Sequence, residues 1–381
     1  MVEGLSSLRP VYAVGGGLHP YQAGSAASYV ELGLVAVRAA LDDAGVNWAE
    51  NEASFVGTAT LGIAGGRAML RHLGASTAQI LHVENASASG SAAFRAACLE
   101  VASGLADIAI AVGVDKPNVV QHAYLATGIP SPVGDAVALP THFALVASEY
   151  AAANGLGPAD IARVAVKNHA NGVLNPFAQR RKPRSLEEVL GSRPVSGMLT
   201  ALQCCPVGEG AAAVVVMSET AMARHAAAAA RAVRVAGFAA RSETYSEQVS
   251  FDATLTGITV AAALADAQVR PGELDIVELH DAFSVEELLY LEAMGLASPG
   301  RAAAELEAGR FDIGGECAVS PSGGLLAMGH PTGPTGVGQI VEIMRQLRGE
   351  AGARQQSDAR VGLAHMCGLG SVCYAHVLAR S

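Results

Sequence analysis

The chain has 381 residues, a formal net charge of −10 and a pI near 5.6. That acidic balance argues against nucleic acid as the main partner, while 51% hydrophobic against 16% charged residues supplies a large core, enough for two to three domains or one duplicated α/β unit. No apolar run reaches the length of a membrane span and nothing resembles a signal peptide, so the expected setting is soluble, reducing and cytoplasmic.

In chain order, the first clear element is an amphipathic helix pattern around Val37–Val46, followed by an apolar strand pattern from Ala53. Ile80–Asn85 reads as a strand running into Ala86-Ser-Ala-Ser-Gly-Ser, a turn that opens a helix reaching about Ser103. Cys98 lies on the apolar face of that helix and reads as packing. Ile108–Val114 is a strand buried on both faces. Two helix patterns follow, near His142–Asn154 and Pro158–Gly172, then a polar loop, Asn175-Pro-Phe-Ala-Gln-Arg-Arg-Lys-Pro-Arg184. Ala212–Met217 is another buried strand. The loop Ser242–Ser250 reads as a mobile cover.

A second helix, Val260–Val269, aligns with Val37–Val46. The matched pairs include Ala40/Ala263, Asp43/Asp266 and Ala44/Ala267. It too leads into a strand, Asp275–His280. Farther on, Ser320-Pro-Ser-Gly-Gly-Leu-Leu-Ala-Met-Gly-His-Pro-Thr-Gly-Pro-Thr-Gly336 opens a helix from about Val337 to Arg348. Strands Val361–Met366 and Val372–Leu378 end the chain. The chain therefore reads as a duplication: 1–114 and 200–232 form one half, 233–381 the other, and 115–199 an insertion over the cleft.

Ser87 and His330 hold similar places in the two halves, each near a helix start. Unpaired N–H groups and the helix dipole there favour developing negative charge, and an imidazole can activate a nucleophile or polarise a carbonyl. Asp281 and Glu278 flank the His280 strand and either order a histidine or make a structural salt link. Lys167, His169, Arg180, Arg181, Lys182 and Arg184 stand out in an acidic chain, as contacts for the phosphates of a ligand or as a solvated loop. Cys98, Cys204, Cys205, Cys317, Cys367 and Cys373 form no Cys-x-x-Cys ribbon, so no metal site is expected.

In order and spacing, Val83-Glu-Asn-Ala-Ser-Ala-Ser-Gly90, Val166-Lys-Asn-His169, Leu202-Gln-Cys-Cys-Pro206, Glu209-Gly-Ala-Ala-Ala213, Glu278-Leu-His-Asp-Ala-Phe283, Pro321-Ser-Gly-Gly324, Gly329-His-Pro331 and Cys367-Gly resemble the thiolase superfamily, in particular its sterol-carrier-protein type. The resemblance implies a five-layered αβαβα fold of two similar halves plus a loop domain. It implies a homodimer or a dimer of dimers, coenzyme A as cosubstrate with no permanently bound cofactor, and chemistry on the carbon–carbon bond of a β-ketoacyl-CoA. By that resemblance His330 activates the nucleophile and lines an oxyanion hole, Cys367 is the acid/base, and His280 binds the thioester oxygen. His142, Cys205 and Phe283 fall where such proteins contact coenzyme A, and Arg180, Arg181, Lys182 and Arg184 face its phosphates.

Three positions depart from the pattern. Ala282 replaces the sterol-carrier type's cysteine, Pro334 a usual alanine, and Ser87 the nucleophilic cysteine. A hydroxyl is far less acidic than a thiol, and an acyl-serine ester lies below a thioester in energy, so return of the acyl group to coenzyme A runs uphill. Ser87 is then an engineered change, a natural one with catalysis that skips the acyl-enzyme, or the mark of a subunit without activity. Loss of the nucleophile keeps open a thiolase-like retro-aldolase acting on a β-hydroxyacyl-CoA, or a non-catalytic subunit. The sterol-carrier likeness also implies bulky or aromatic substrates, as for benzoylsuccinyl-CoA, and a small zinc-ribbon/OB-fold partner protein.

Overall fold

A computed structural model describes residues 4–117, 129–130, 136–243, 251–369 and 371–381. Positions 244–250, most of the expected cover at Ser242–Ser250, lie outside the described residues, as does part of the insertion. The strands are β1 Val11–Gln22, β2 Ala53–Gly57, β3 Gln79–Val83, β4 Ile108–Asp115, β5 Ile129–Pro130, β6 Ala136–Val137, β7 Pro194–Ser196, β8 Leu199–Thr200, β9 Glu209–Ser218, β10 Val233–Ser242, β11 Ile276–Glu278, β12 Ala318–Val319, β13 Val361–Gly368 and β14 Val372–Arg380.

Ten of them form one sheet in the order β12-β11-β13-β14-β10-β1-β9-β4-β2-β3. Each half of that order is the other's repeat. In the first half β2 runs parallel to β3 and β4, β9 is antiparallel to β4, and β1 closes antiparallel to β9. In the second half β11, β12, β13, β14 and β10 do the same. The halves join where β1 meets β10, over only Tyr12–Arg234 and Ala13–Val233.

The duplication extends to single atoms. β1 is bulged between Ala13 and Gly15, and β10 between Val235 and Gly237. A side chain on Gly15 would collide with Ala40 O and Ala44; on Gly237 it would collide with Ala263 O and Ala267. Those are the residue pairs matched in the sequence. Asp43 accepts the backbone N–H of Gly16 at 2.9 Å, and its counterpart Asp266 accepts that of Phe238 at 3.1 Å. Glycine is needed at both bulges because helix and strand backbones touch there.

Alternation along the strands sorts the layers. Ile108, Ile110 and Val112 of β4 pack outward under the helix Tyr29–Ala44, while Ala109 and Ala111 face inward. The inward layer holds two helices, Ser89–Ala102 and Thr332–Arg348, buried between the half-sheets. The helix Phe251–Ala267 covers the second half-sheet, with Ser284–Ala293, Leu139–Asn154 and Pro158–Leu174 in the same apolar cluster. Helix, sheet, helix, sheet and helix give the five layers. Small residues facing the middle let the helices come close, and the site forms in that middle layer.

Candidate active site

The two central helices meet glycine to glycine. A Cβ on Gly90 would lie 2.2 Å from Gly333 O, and one on Gly336 2.2 Å from Ser91 Oγ. Asp115 at the end of β4 accepts from Thr332 Oγ1, Gly333 N–H, Thr58 Oγ1 and Thr60 N–H, clamping the second helix start against the first half. That helix begins at Thr332, five residues before the apolar pattern that marks it in the sequence.

Ser87 sits on a tight turn. Ala86 before it has a left-handed φ of 49°, and Ser89 ties the turn by accepting from Asn85 N–H and donating to Ala86 O. His330 follows Gly329, whose φ is 105°. These turns bring His330 Nε2 to 3.0 Å from Ser87 Oγ, although 243 positions separate the residues.

The far side of His330 fixes its tautomer. Thr335 Oγ1 donates its one hydrogen to Pro331 O at 2.6 Å and lies 2.9 Å from His330 Nδ1. It can therefore only accept from that nitrogen, so Nδ1 carries the ring proton and Nε2 offers its lone pair to the Ser87 hydroxyl. Burial, helped by His280, holds His330 well below the ordinary imidazole range.

His280 follows β11, its ring at right angles to that of His330 with centroids 5.4 Å apart. Glu286 Oε1 lies 3.1 Å from His280 Nδ1 and is within 2.9 Å of Tyr290 Oη, while Glu286 Oε2 accepts from Phe283 N–H. Tyr290 Oη lies 2.6 Å from Asp252, whose carboxyl burial pushes up to about 6. Nε2 of His280 is buried without a partner among the described residues. A carboxylate only accepts, so Nδ1 donates to it; His280 then donates from Nε2 only as an imidazolium with Glu286 as counter-ion. Glu286 reads in the sequence as part of an ordinary charged helix face.

The network continues to Cys367. His365 Nδ1 accepts from His280 N–H at 3.4 Å, and His365 Nε2 lies 3.0 Å from Thr256 Oγ1 and 3.5 Å from Cys367 Sγ. Cys367 is buried opposite Cys373 across the β13–β14 pair. Its thiol is held well above the ordinary value, first by the contact with Cys373 and then by burial. Ser87, His330, His280 and Cys367 thus lie along one series of contacts, which passes through the backbone N–H of His280.

The other expected residues divide. His142 on the helix Leu139–Asn154 is buried, which lowers its pKa. Its neighbour Phe143 stacks on Phe283 with centroids 4.7 Å apart. Cys205 N–H donates to Ala282 O at 2.8 Å, and Cys204 bridges to Phe283. These residues pack on Ala282 and Phe283, which follow His280 in the chain.

The basic group is not one surface. Lys167 is buried, with Nζ bound to Val319 O, Asn168 and Glu287. His169 is buried against Leu202 O, and desolvation lowers it to about 4. Arg180 donates to the carbonyls of Cys204, Leu326 and Ala201. All three turn inward, Lys167 toward a carboxylate and a carbonyl, Arg180 toward backbone carbonyls and His169 as a neutral ring, which corrects their reading as phosphate contacts. Lys182 and Arg184 lie near Glu188, at 3.7 and 3.5 Å, and Arg181 is exposed. Asp281 bonds Asn168 and Leu325 N–H, and Glu278 bonds Ser322, so neither carboxyl orders a histidine directly.

Two family descriptions match the chain: "Thiolase, N-terminal domain" over 21–182 and "Thiolase C-terminal domain-like" over 237–380. The benzoylsuccinyl-CoA thiolase subunit BbsB of Thauera aromatica is 35% identical over 329 residues, 84% of each chain. An acetyl-CoA acetyltransferase of Methanothermobacter thermautotrophicus is 35% identical over 354 residues, covering 90% of this chain and 92% of the relative. Among solved structures, the Ltp2-ChsH2(DUF35) aldolase superposes with a TM-score of 0.84 at 22% identity, covering 98% of each chain, which is a likeness of fold.

Proposed function

The chain belongs to the thiolase superfamily and is a thiolase-type acyltransferase, and from that premise we propose that Ser87 and His330 act as its nucleophile–base pair on a β-ketoacyl-CoA. The observation that supports this most is the 3.0 Å contact between Ser87 Oγ and a His330 Nε2 whose lone pair Thr335 aims at it. In thiolysis the Ser87 proton passes to Nε2 as Oγ attacks the β-keto carbon. The bond between the α- and β-carbons breaks, and its electron pair stays on the α-carbon as an enolate.

His280, as an imidazolium backed by Glu286, donates to the thioester oxygen on which that charge rests. Cys367 returns a proton to the α-carbon and then takes one from incoming coenzyme A. That thiolate attacks the acyl ester on Ser87, the bond to Oγ breaks, and His330 Nε2 returns its proton to Oγ. His142, Cys205 and Phe283 form the wall for the pantetheine arm, and Arg181, Lys182 and Arg184 meet the phosphates. A bulky or aromatic acyl group and a small zinc-ribbon/OB-fold partner are suggested by the likeness to a benzoylsuccinyl-CoA thiolase subunit; a homodimer is the expected core assembly.

The oxygen at position 87 favours a second reading. An ester intermediate is a poor acyl donor to a thiol, whereas retro-aldol cleavage of a β-hydroxyacyl-CoA needs no acyl-enzyme. The test is parallel incubation with a β-ketoacyl-CoA and with a β-hydroxyacyl-CoA, followed by peptide mass spectrometry and product analysis. An acyl adduct on the Ser87 peptide, absent in Ser87→Ala, is expected. Release of an aldehyde or ketone without added coenzyme A, and no adduct, would replace the first reading by the second.

A further inference from the structure

The hairpin β13–β14 brings together three metal-ligating side chains that have no spacing signature in the sequence. His365, Cys367 and Cys373 are all buried, and their ligand atoms lie within 4.8 Å of one another. Cys367 and Cys373 are direct cross-strand partners, and His365 shares a face with Cys367 because the strand period is two. Thr256 Oγ1 lies 3.0 Å from His365 Nε2 and 3.6 Å from Cys367 Sγ, and His365 Nε2 lies 3.5 Å from Cys367 Sγ. Around a tetrahedral zinc ion with bonds of ~2.0–2.3 Å, ligand atoms stand roughly 3.4–3.8 Å apart.

We propose that His365, Cys367 and Cys373 bind a zinc-class divalent cation, with Thr256 Oγ1 placed for the fourth position. Two thiols release their protons to solvent, and two thiolates neutralise the ion, so the loaded cluster carries no net charge into the core. His365 binds through the Nε2 lone pair. Its proton then sits on Nδ1, at the expense of the long 3.4 Å contact from His280 N–H. Two sulfurs and an imidazole select a borderline-soft ion over magnesium or calcium.

One consequence rests on the proposed role of Cys367. A thiolate held by the ion no longer carries protons, so loading stops carbon–carbon bond chemistry reversibly.

The test is a cobalt(II) titration of the full chain, reduced with a phosphine and freed of metal by chelation. Expected are one equivalent bound, a thiolate-to-cobalt absorption in the near ultraviolet with tetrahedral visible bands, and displacement by zinc. Cys373→Ser, checked for folding by its melting curve, is expected to lose that absorption. No such absorption from the unmodified protein overturns the site, as does the same spectrum from Cys373→Ser. Binding by the spectrum with activity unchanged by zinc would leave the site standing and remove Cys367 from the proposed mechanism.

Discussion

Thr335 decides which nitrogen of His330 carries the proton, because its hydroxyl is already spent on Pro331 O when it meets Nδ1. A base without that partner is divided between two tautomers, and only one offers Nε2 to Ser87.

Thr335→Val keeps the shape and removes the acceptor. We expect kcat to fall by about 10²-fold, the lower range of general-base contributions, with Thr335→Ser restoring most of it. The pH profile adds a signature. His330 is held well below 6.5, so Nε2 stays unprotonated through neutral pH, and the acid limb of kcat/KM lies below pH 6.5. Steady-state kinetics across pH check both points.

Ser87→Cys replaces an alcohol by a thiol beside the same imidazole. Thiolysis of a β-ketoacyl-CoA should rise by at least tenfold, about 1.4 kcal/mol in barrier, because the thiolate forms more readily and the thioester passes its acyl group to coenzyme A without an uphill step. Unchanged thiolysis in a folded variant would favour the retro-aldol reading.

Glu286 accepts from His280 Nδ1 and Phe283 N–H, and Tyr290 Oη, whose hydrogen has Asp252 nearer at 2.6 Å, lies 2.9 Å from it. Glu286→Gln turns an amide N–H toward groups that donate. A stability loss of about 1–3 kcal/mol is expected in denaturant titrations. A drop in kcat larger than any rise in KM is expected with it, since His280 loses its counter-ion.

Arg180 and Arg181 are neighbours with different work. Arg180→Ala strips the guanidinium from three carbonyls, and hydrogen bonds to a charged group are worth about 1.5–3 kcal/mol, so melting falls. Arg181→Ala should leave melting within about 0.5 kcal/mol and raise KM for coenzyme A, more at low salt than at high. Equal effects of the two variants on KM would refute this division.

Glu278 gives a stability test with a defined sign. Burial, reinforced by Glu342, raises its pKa from 4.5 to about 8. Between those values the unfolded chain has released a proton that the folded chain still holds, so this group's favourable contribution is full below pH 4.5 and is lost as pH rises through about 8. Glutamine mimics the protonated acid toward Ser322 N–H and Oγ. The melting advantage of Glu278→Gln should therefore grow from pH 4.5 to about 8 and then level off.

The regular parts of this architecture were legible because they follow periodicity. Val37–Val46 and Val260–Val269 mark matching helices, and buried runs such as Ile108–Val114 mark central strands. β1 gives no clear strand signal in the sequence because Gly15-Gly16-Gly17 interrupts its apolar alternation, whereas those glycines let the strand touch a helix. Lys167 and His169 were grouped with Arg181 by charge alone, yet their helix buries them. Thr335 and Glu286 carried a weak signal, a hydroxyl five residues after His330 and a carboxyl six after His280. Spacing along a chain does not say where a side chain's hydrogen goes. The cluster of His365, Cys367 and Cys373 escaped because a ribbon rule counts neighbours along one strand, and Cys373 lies across from Cys367.

The seam between β1 and β10 has a bearing on biogenesis. It spans two residue pairs, while the helix that follows the imidazole is threaded between both half-sheets. A ribosome that has released the first 300 or so residues has delivered the hydroxyl without its base. Reactive capacity therefore switches on late, in one step, and a nascent or prematurely stopped polypeptide has no partial chemistry to misdirect.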